Sequence, residues 1–230
     1  MTGKITKRIQ QIQETLPSTV KLIAVTKTVS TEAIREAYAA GIRDFGENKI
    51  QEALAKQEEL QDLSDICWHF LGHLQTNKAK KALTHFHWIH TCDRAKLAQR
   101  LNSLLGELEI PSPNLLLQVK PVKDPNKYGW EIPELLEALP TLNQYNHLKI
   151  RGLMTILPLN QSQEEVAVAF GKVRDLAQQI NAQKDLNFTM EELSMGMSAD
   201  YPLAIEAGAT MIRLGRTIFG ERPHSLPKKN

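Results

Sequence analysis

Residues 20–27 read Val20-Lys21-Leu22-Ile23-Ala24-Val25-Thr26-Lys27, an apolar run that closes on a lysine. A short run rich in β-branched residues is typical of a buried strand. A counterpart lies near the other end of the chain, Met211-Ile212-Arg213-Leu214-Gly215-Arg216-Thr217-Ile218-Phe219-Gly220. It predicts a second strand, followed by a glycine turn and the start of a helix. The first and last strands of the fold are therefore both expected to end in polar residues.

Further strand candidates lie between these two, separated by amphipathic segments. The full set is Val20–Thr26, Arg43–Gly46, Cys67–Leu71, His87–Thr91, Asn114–Val119, Leu148–Ile156, Glu192–Met195 and Thr210–Leu214. Eight β/α alternations fit a TIM-type barrel, whose usual size is about 250 residues. A doubly wound open sheet is the alternative, but it normally has a glycine-rich turn where Lys27-Thr28-Val29 stands here. We predict an α/β fold, a single (β/α)8 TIM-type barrel.

Helix signals fall between the predicted strands. Ser30 is a candidate N-cap and Gly41 a stop signal for the helix after the first strand. Ser162 and Glu165 have the spacing of a capping box. Asp93 is predicted to cap a leucine-rich helix. An additional helix at about residues 4–15 precedes the first strand.

Composition indicates an ordinary globular protein, with 42% hydrophobic residues, 23% charged residues and a net charge of +2. The sequence has no linker or repeat, so we expect one domain over residues 1–230, with an N-terminal helix region at about 1–18 and a tail at 223–230. There is no apolar run of membrane-spanning length and no signal-peptide core. We expect a cytoplasmic protein with neither a membrane nor a nucleic acid as partner.

Cysteines and histidines give no metal-binding pattern. Cys67 and Cys92 form no CxxC pair and are expected to be reduced thiols in or near the core. His87 and His90 have opposite parity on a strand, and no helical HxxxH motif includes His85. We therefore predict no metal site.

Polar residues stand at or just after the ends of the predicted strands: Lys27, Glu47, Asn48, His73, Lys120, Thr155, Ser194, Gly215, Arg216 and Thr217. This face of a barrel is where binding sites are built. Lys27 has the parity of Ile23 and Val25, so its amine is expected at the mouth of the interior, where it could form an imine with a carbonyl compound. The alternative is that Lys27 extends into water.

Two further features belong to the last strand. The turn Gly215-Arg216-Thr217 leads into a helix and could hold a phosphate on its backbone N–H groups. Arg213 lies two residues before Gly215 and is expected to point to the same side of the strand. The alternative to a role in binding is that Arg213 forms an ion pair with a carboxylate such as Glu47 or Glu206.

Several longer blocks resemble one family. They are LIAVTKT (Leu22–Thr28), FGENKIQE (Phe45–Glu52), WHFLGHLQTNK (Trp68–Lys78), GLM (Gly152–Met154), LSMGMSAD (Leu193–Asp200) and RLGRTIFG (Arg213–Gly220). In this order, over about residues 20–222, they resemble the YggS/PROSC pyridoxal-phosphate homeostasis proteins. The FGEN, WHxxGxLQxNK and LSMGMSxD motifs are long and specific.

The resemblance implies a pyridoxal 5'-phosphate (PLP) cofactor on a barrel like the N-terminal domain of alanine racemase, the fold type III architecture. It implies that the strand-one lysine, Lys27, forms the imine with PLP. It places the last-strand arginine, Arg213, near the pyridine nitrogen. The phosphate is expected at Gly215 and Thr217, with Ser194 assisting.

Three other positions bear on the resemblance. Asn48 of the FGEN motif is expected near the cofactor. Many members have Ser or Thr where this chain has Arg216, which keeps its backbone N–H and adds a positive charge toward the phosphate. Many also have Asn where this chain has Lys120, so the sequence places a second amine near the barrel mouth.

The resemblance implies a non-catalytic PLP-binding protein of intracellular PLP (vitamin B6) and amino-acid homeostasis, and a monomer. A PLP-dependent racemase or decarboxylase is one alternative. A Schiff-base aldolase or isomerase without PLP is another. A racemase of this fold needs a second base, which alanine racemase draws from a C-terminal domain. The chain ends soon after Gly220, so that domain is expected to be absent. Tyr128 and Tyr201 are expected to be packing residues.

Overall fold

Parallel strands close into a barrel in the computed structural model, which describes residues 3–221. The strands are β1 (Lys21–Val25), β2 (Asp44–Glu47), β3 (Cys67–Phe70), β4 (Trp88–Cys92), β5 (Asn114–Lys120), β6 (Trp130–Glu131), β7 (Lys149–Met154), β8 (Glu192–Ser194) and β9 (Met211–Leu214). They run in the order β4-β3-β2-β1-β9-β8-β7-β5, and pairing of β4 with β5 closes the ring. The two-residue β6 pairs with β5 outside that ring. The predicted TIM-type (β/α)8 barrel is confirmed.

Helices follow the strands as the alternation predicts. They are α1 (Lys4–Thr15), α2 (Thr31–Ala39), α3 (Ile50–Glu59), α4 (Ala79–His85), α5 (Ala95–Leu108), α6 (Ile132–Leu142), α7 (Gln163–Asn181), α8 (Tyr201–Glu206) and α9 (Arg216–Phe219), with a 3₁₀ turn at Thr76–Lys78. Ser30 caps α2 through the backbone N–H of Ala33. Ser162 and Glu165 form the predicted capping box of α7.

One cap prediction is wrong. The residue at the N-cap of α5 is Arg94, which has no side-chain cap hydrogen bond, and not Asp93. The carboxylate of Asp93 instead bonds the side chains of His73 and Arg94. A tertiary partner has replaced the local capping interaction.

Two apolar layers separate the inside of the barrel from its outside. The larger layer lies between the outer strand faces and the helices and includes Leu22 and Ala24 of β1. The smaller lies inside the barrel and includes Ile23, Trp88 and Met211. Odd-numbered residues of β1 therefore face inward, and Lys27 continues that parity beyond the strand.

Within residues 3–221, no helix is both long and apolar enough to cross a membrane. The helix expected before the first strand is α1, and the expected tail at 223–230 lies outside the described residues. Cys92 is fully buried and Cys67 partly so, and neither is in a disulfide. Burial raises the pKa of each thiol to about 12.

Candidate functional site

The first and last strands bring the predicted lysine and the predicted phosphate turn together. In the register of β1 and β9, Ile23 lies opposite Arg213 and Ala24 opposite Leu214. Lys27 follows β1 by two residues, and Gly215 follows β9 directly. Lys27, Gly215 and Arg216 line one cleft of about 160 Å³ at the carboxyl ends of the strands.

A buried lysine on α3 holds the backbone next to Lys27. The Nζ of Lys56 donates to the carbonyl oxygen of Thr26 at 2.7 Å, to Oε1 of Glu47 at 2.7 Å and to Oε1 of Glu52 at 2.8 Å. The side chain of Lys56 is 10% exposed and that of Glu47 is fully buried. These contacts fix the peptide from which Lys27 projects.

The residue after Lys27 is held as firmly. The backbone N–H of Thr28 donates to Oε1 of Glu52 at 2.5 Å. Thr28 has a φ of 63°, in the left-handed region that non-glycine residues rarely occupy. A chain reversal directly after Lys27 is therefore stabilised by a carboxylate from the neighbouring helix.

The sequence prediction missed Lys56 and Glu52, although one signal was available. Lys56 follows Ile50 and Ala53 at helical spacing, and all three are buried residues of α3. A lysine on the apolar face of a helix seldom becomes buried unless a carboxylate pairs with it. That pattern predicts a buried carboxylate as the partner of Lys56, and in the structure this partner is Glu47.

Loss of Lys56 would leave the buried carboxylate of Glu47 without its counter-charge. Its Oε1 accepts from Lys56 and from the hydroxyl of Thr26, while its Oε2 is buried without a hydrogen-bond partner among the described residues. Burial raises the pKa of Glu47, although the hydrogen bonds from Lys56 and Thr26 act in the opposite direction.

We predict that Lys56→Met lowers the free energy of unfolding by about 3–5 kcal/mol, because removing one member of a buried ion pair leaves the other charge uncompensated. The double variant Lys56→Met/Glu47→Leu should recover much of this loss. Urea denaturation measures both effects, with the exposed Lys80→Met as the matched control, expected within about 0.5 kcal/mol of the parent. Equal losses in the single and double variants would contradict the assignment.

Arg213 is a buried cation that no carboxylate of residues 3–221 contacts. Its guanidinium donates from Nη1 to Oγ of Ser194 and from Nη2 to the carbonyl oxygen of Thr155, each at 2.7 Å. The residue is 4% exposed, and burial lowers its pKa to about 10. The expected alternative, an ion pair with Glu47 or Glu206, is wrong.

One carboxylate, that of Asp200, acts on Arg213 from a distance. Asp200 raises its pKa electrostatically, and none of the salt bridges within residues 3–221 includes Arg213. Buried arginines ordinarily pair with carboxylates. A cation maintained without one is typical of a binding site.

Ser194 lies at the base of the site and not at the phosphate turn. Its hydroxyl contacts Nη1 of Arg213 at 2.7 Å and Nδ1 of His90 at 2.9 Å, and the residue is fully buried. His90 in turn contacts the buried His69. The role of Ser194 as a phosphate ligand remains a prediction.

Two buried histidines should make the protein sensitive to acid. Burial lowers the pKa of His69 and of His90, so their folded-state values lie below the unfolded value near 6.5. The stability that they contribute is therefore present above pH 6.5 and lost as the pH falls. We expect urea denaturation to give a lower free energy of unfolding at pH 5.5 than at pH 7.5, by up to about 1.4 kcal/mol per pH unit for each histidine.

Comparison with His90→Asn isolates this effect, because the raised pKa of Glu47 acts in the opposite sense. The variant should lose part of the fall in stability between the two pH values. An unchanged slope in His90→Asn would contradict a buried neutral His90.

A second serine lies where the phosphate is predicted. The backbone N–H of Thr217 donates to Oγ of Ser198 at 3.4 Å. Ser198 follows a turn in which Gly196 has a φ of 93°, and Asp200 accepts from the N–H of Met197 at 2.6 Å. From the sequence, Ser198 of the LSMGMSAD block is expected to be a turn or cap residue and not a ligand.

Asn48 is held by a close approach of two loops. A Cβ on Gly72 would lie 2.0 Å from the carbonyl oxygen of Asn48, so only glycine allows the loop after β3 to pass there. Asn48 is half-buried, at the same face of the barrel as Lys27. It does not line the cleft of Lys27 and Gly215.

Lys120, the second amine at the mouth, has a partner of its own. Its Nζ lies 2.8 Å from Oε1 of Glu131. Nearby, Tyr128 stacks on His73 with ring centroids 3.6 Å apart, and is 57% exposed. Lys120 is therefore engaged in an ion pair on the β5 side of the mouth.

The donors of this site fit the cofactor that the resemblance implies. An amine, a carboxylate-free guanidinium and a backbone turn with a hydroxyl and a cation, Arg216, lie along two adjacent strand ends. PLP carries an aldehyde, a pyridine nitrogen and a phosphate, which these three groups match in chemical type.

The fold and the site define a class that comparison with known proteins identifies. The family model of the alanine racemase N-terminal domain matches residues 2–223. A pyridoxal phosphate homeostasis protein from Synechocystis sp. is 51% identical over 212 residues, covering 92% of this chain and 96% of that protein. One from Pseudomonas aeruginosa is 41% identical over 231 residues, covering 98% and 96%. The chain belongs to the alanine racemase N-terminal domain family, among its pyridoxal phosphate homeostasis proteins.

Solved structures agree. PipY of Synechococcus elongatus with PLP bound has a TM-score of 0.89 at 49% identity, covering 94% of this chain and 100% of that one. An alanine racemase from Clostridium difficile has a TM-score of 0.73 at 14% identity, covering 96% of this chain and 57% of the racemase. The second likeness concerns the fold alone.

Proposed function

We propose that this protein binds PLP without turning over a substrate and serves intracellular PLP (vitamin B6) and amino-acid homeostasis. The single observation that carries the proposal is the pairing of β1 with β9, which sets Lys27 in one cleft with Gly215 and Arg216 and places Ile23 of the same strand opposite the buried Arg213. The names of the curated relatives and the PLP-bound PipY structure support it.

Each group in the site has a proposed role. Lys27 holds the aldehyde carbon of PLP as an imine, and Arg213 faces the pyridine nitrogen. The backbone N–H groups at Gly215 and Thr217 take the phosphate, with Arg216 supplying charge and Ser198 a hydroxyl, while Ser194, predicted from the resemblance to assist there, acts through Arg213 instead. Asn48 orients the ring from the neighbouring strand end.

When bound, PLP supplies an electrophilic carbon and a ring that can accept electrons, and the protonated pyridine nitrogen is what makes that ring a strong electron sink. A guanidinium beside the nitrogen disfavours its protonation by charge repulsion. Arg213, whose pKa of about 10 keeps it cationic at neutral pH, therefore favours retention of PLP over turnover of amino acids.

Two alternative functions share part of this site. A PLP-dependent racemase or decarboxylase shares the fold and the lysine. A Schiff-base aldolase or isomerase without PLP would need only Lys27 and the phosphate turn. We further propose a single cytoplasmic domain over residues 1–230 acting as a monomer.

An absorbance titration tests the proposed function. PLP added to the purified protein should give saturable 1:1 binding and a yellow band that survives desalting. A colourless protein that cannot be loaded with PLP, yet forms a borohydride-trapped adduct with a sugar phosphate, would support the aldolase alternative.

A further inference from the structure

Five side chains form a continuous hydrogen-bonded chain through the inside of the barrel. Arg213 Nη1 contacts Ser194 Oγ at 2.7 Å, and Ser194 Oγ contacts His90 Nδ1 at 2.9 Å. His90 Nε2 contacts His69 Nδ1 at 2.9 Å, and His69 Nε2 contacts Asp44 Oδ1 at 2.8 Å. Asp44 is the first residue of β2, so the chain runs from the amino-terminal mouth of the barrel toward the proposed PLP site.

The donor capacity of each group gives the chain one direction. Arginine can only donate and the carboxylate of Asp44 can only accept, so the chain is fixed at both ends: Ser194 accepts from Arg213 and gives its single hydroxyl proton to Nδ1 of His90. A neutral His90 then carries its proton on Nε2 and donates to Nδ1 of His69. His69 likewise carries its proton on Nε2 and donates to the carboxylate of Asp44. Both histidine tautomers follow from this order.

Burial supports two neutral rings. His69, His90 and Ser194 are fully buried. Burial lowers the pKa of both histidines, and the proximity of His69 and Arg213 lowers that of His90 further. A cationic ring at either position would also direct a second N–H at a neighbour that is already donating.

The far end of the chain is partly open to water. The side chain of Asp44 is 20% exposed, and the ammonium of Lys21 lies 3.7 Å from its Oδ1. Burial raises the pKa of Asp44, but the hydrogen bond from His69 and the charge of Lys21 outweigh it, and the pKa is lowered overall. The chain therefore ends on a carboxylate that solvent can reach.

We propose that Asp44, His69, His90 and Ser194 are positioning residues for Arg213, joined in a hydrogen-bond chain of one direction that fixes its guanidinium for the pyridine nitrogen of PLP. Breaking the chain at the opposite mouth removes the carboxylate that fixes its direction and so leaves the hydroxyl of Ser194 beside Arg213 without a set orientation, although Asp44 does not touch the cofactor. This inference rests on the proposed function, because its ligand readout is bound PLP.

The same mouth has one competing interpretation. The ligand atoms of Asp44, Cys67 and His69 lie within 4.8 Å of one another, a spacing that could hold a metal ion. The ammonium of Lys21 beside the carboxylate and the hydrogen bond on His69 Nε2 favour the chain. Zinc is therefore included in the test.

The first experiment uses the protein before PLP is added. In ¹⁵N NMR at pH 7.5, His69 and His90, assigned through His69→Gln and His90→Asn, should both be neutral with the proton on Nε2. A proton on Nδ1 of His90, or a cationic ring, would overturn the direction of the chain. Loss of the His69 Nε2–H signal on adding one equivalent of Zn²⁺ would overturn it in favour of a metal site.

The second experiment breaks the chain at its exposed end, because a substitution at the partly exposed Asp44 disturbs the core less than His90→Leu would. Asp44→Leu removes the acceptor of His69, and Asp44→Asn keeps an oxygen in its place. We expect Asp44→Leu to weaken PLP binding by about 2- to 30-fold, the range of coupling through such networks, and to shift the absorbance maximum of bound PLP. Asp44→Asn should stay within about twofold of the parent.

Leu116→Ala is the matched control, because it removes packing from the same barrel interior without removing a chain member. It should lower stability and leave the absorbance maximum unchanged. If the parent binds PLP and Asp44→Leu binds it with parental affinity and spectrum, the inference is overturned. If the parent binds no PLP, the proposed function fails, while the NMR result still decides the direction of the chain.

Discussion

Borohydride reduction of the PLP-loaded protein should place the pyridoxyl group on Lys27, and Lys27→Ala should lose nearly all of that label. The reason is position. Lys27 continues the inward parity of β1 and shares a cleft with Gly215 and Arg216. Its flanking peptide is fixed by Lys56, which orients the side chain toward that cleft. Peptide mass analysis of the reduced protein locates the label.

Lys120→Ala is the control for this experiment. Lys120 is the other amine at the mouth, but its Nζ is held 2.8 Å from Glu131 on the β5 side of the barrel. The variant should keep the parental amount of label. A pyridoxyl group on Lys120, or undiminished label in Lys27→Ala, would contradict the assignment of Lys27.

Exchange of the Cα hydrogen of amino acids for deuterium should be no faster with the PLP-loaded protein than with free PLP. Arg213 is cationic at neutral pH, with a pKa of about 10, and as proposed it disfavours protonation of the pyridine nitrogen. The electron sink needed for loss of the Cα proton is therefore weak. Losing one positioned acid or base typically removes about 10²–10⁴-fold in rate, so trace racemisation is compatible with the proposal.

The exchange assay needs several amino acids and a Lys27→Ala comparison. Steady turnover of any one of them at about 1–10³ per second, the typical range of enzymes, would support the racemase or decarboxylase alternative. So would rapid exchange that disappears in Lys27→Ala. Exchange equal to that of free PLP in both proteins supports a carrier.

The barrel was predictable because its strands are encoded locally. Each predicted strand is present, with ends shifted by one or two residues, as Leu148–Ile156 against the observed Lys149–Met154 illustrates. Buried parallel strands form continuous apolar runs, so their existence is clear while their ends are not. The cap at Asp93 could not be predicted, because its outcome depended on His73, a residue from another loop.

The site was predictable only in part. Lys27, Arg213 and Gly215 follow from strand ends and parity, which the sequence contains. The supports of Lys27 do not, because Lys56 and Glu52 reach it from a different helix. Likewise Ser194 was predicted to assist at the phosphate, but its hydroxyl contacts Arg213 and His90, and these contacts depend on barrel closure, which no local pattern encodes.

The pairing of β1 with β9 has a consequence for biosynthesis. The lysine leaves the ribosome early, but the strand that carries Arg213 and the Gly215–Thr217 turn is translated late. Until then a nascent chain can present only an open sheet, with β1 as an exposed edge that could pair with other chains. Contacts between such distant segments form slowly. The cofactor site therefore arises with the closing strand, and ribosome-stalled chains lacking β9 should neither retain PLP nor resist aggregation.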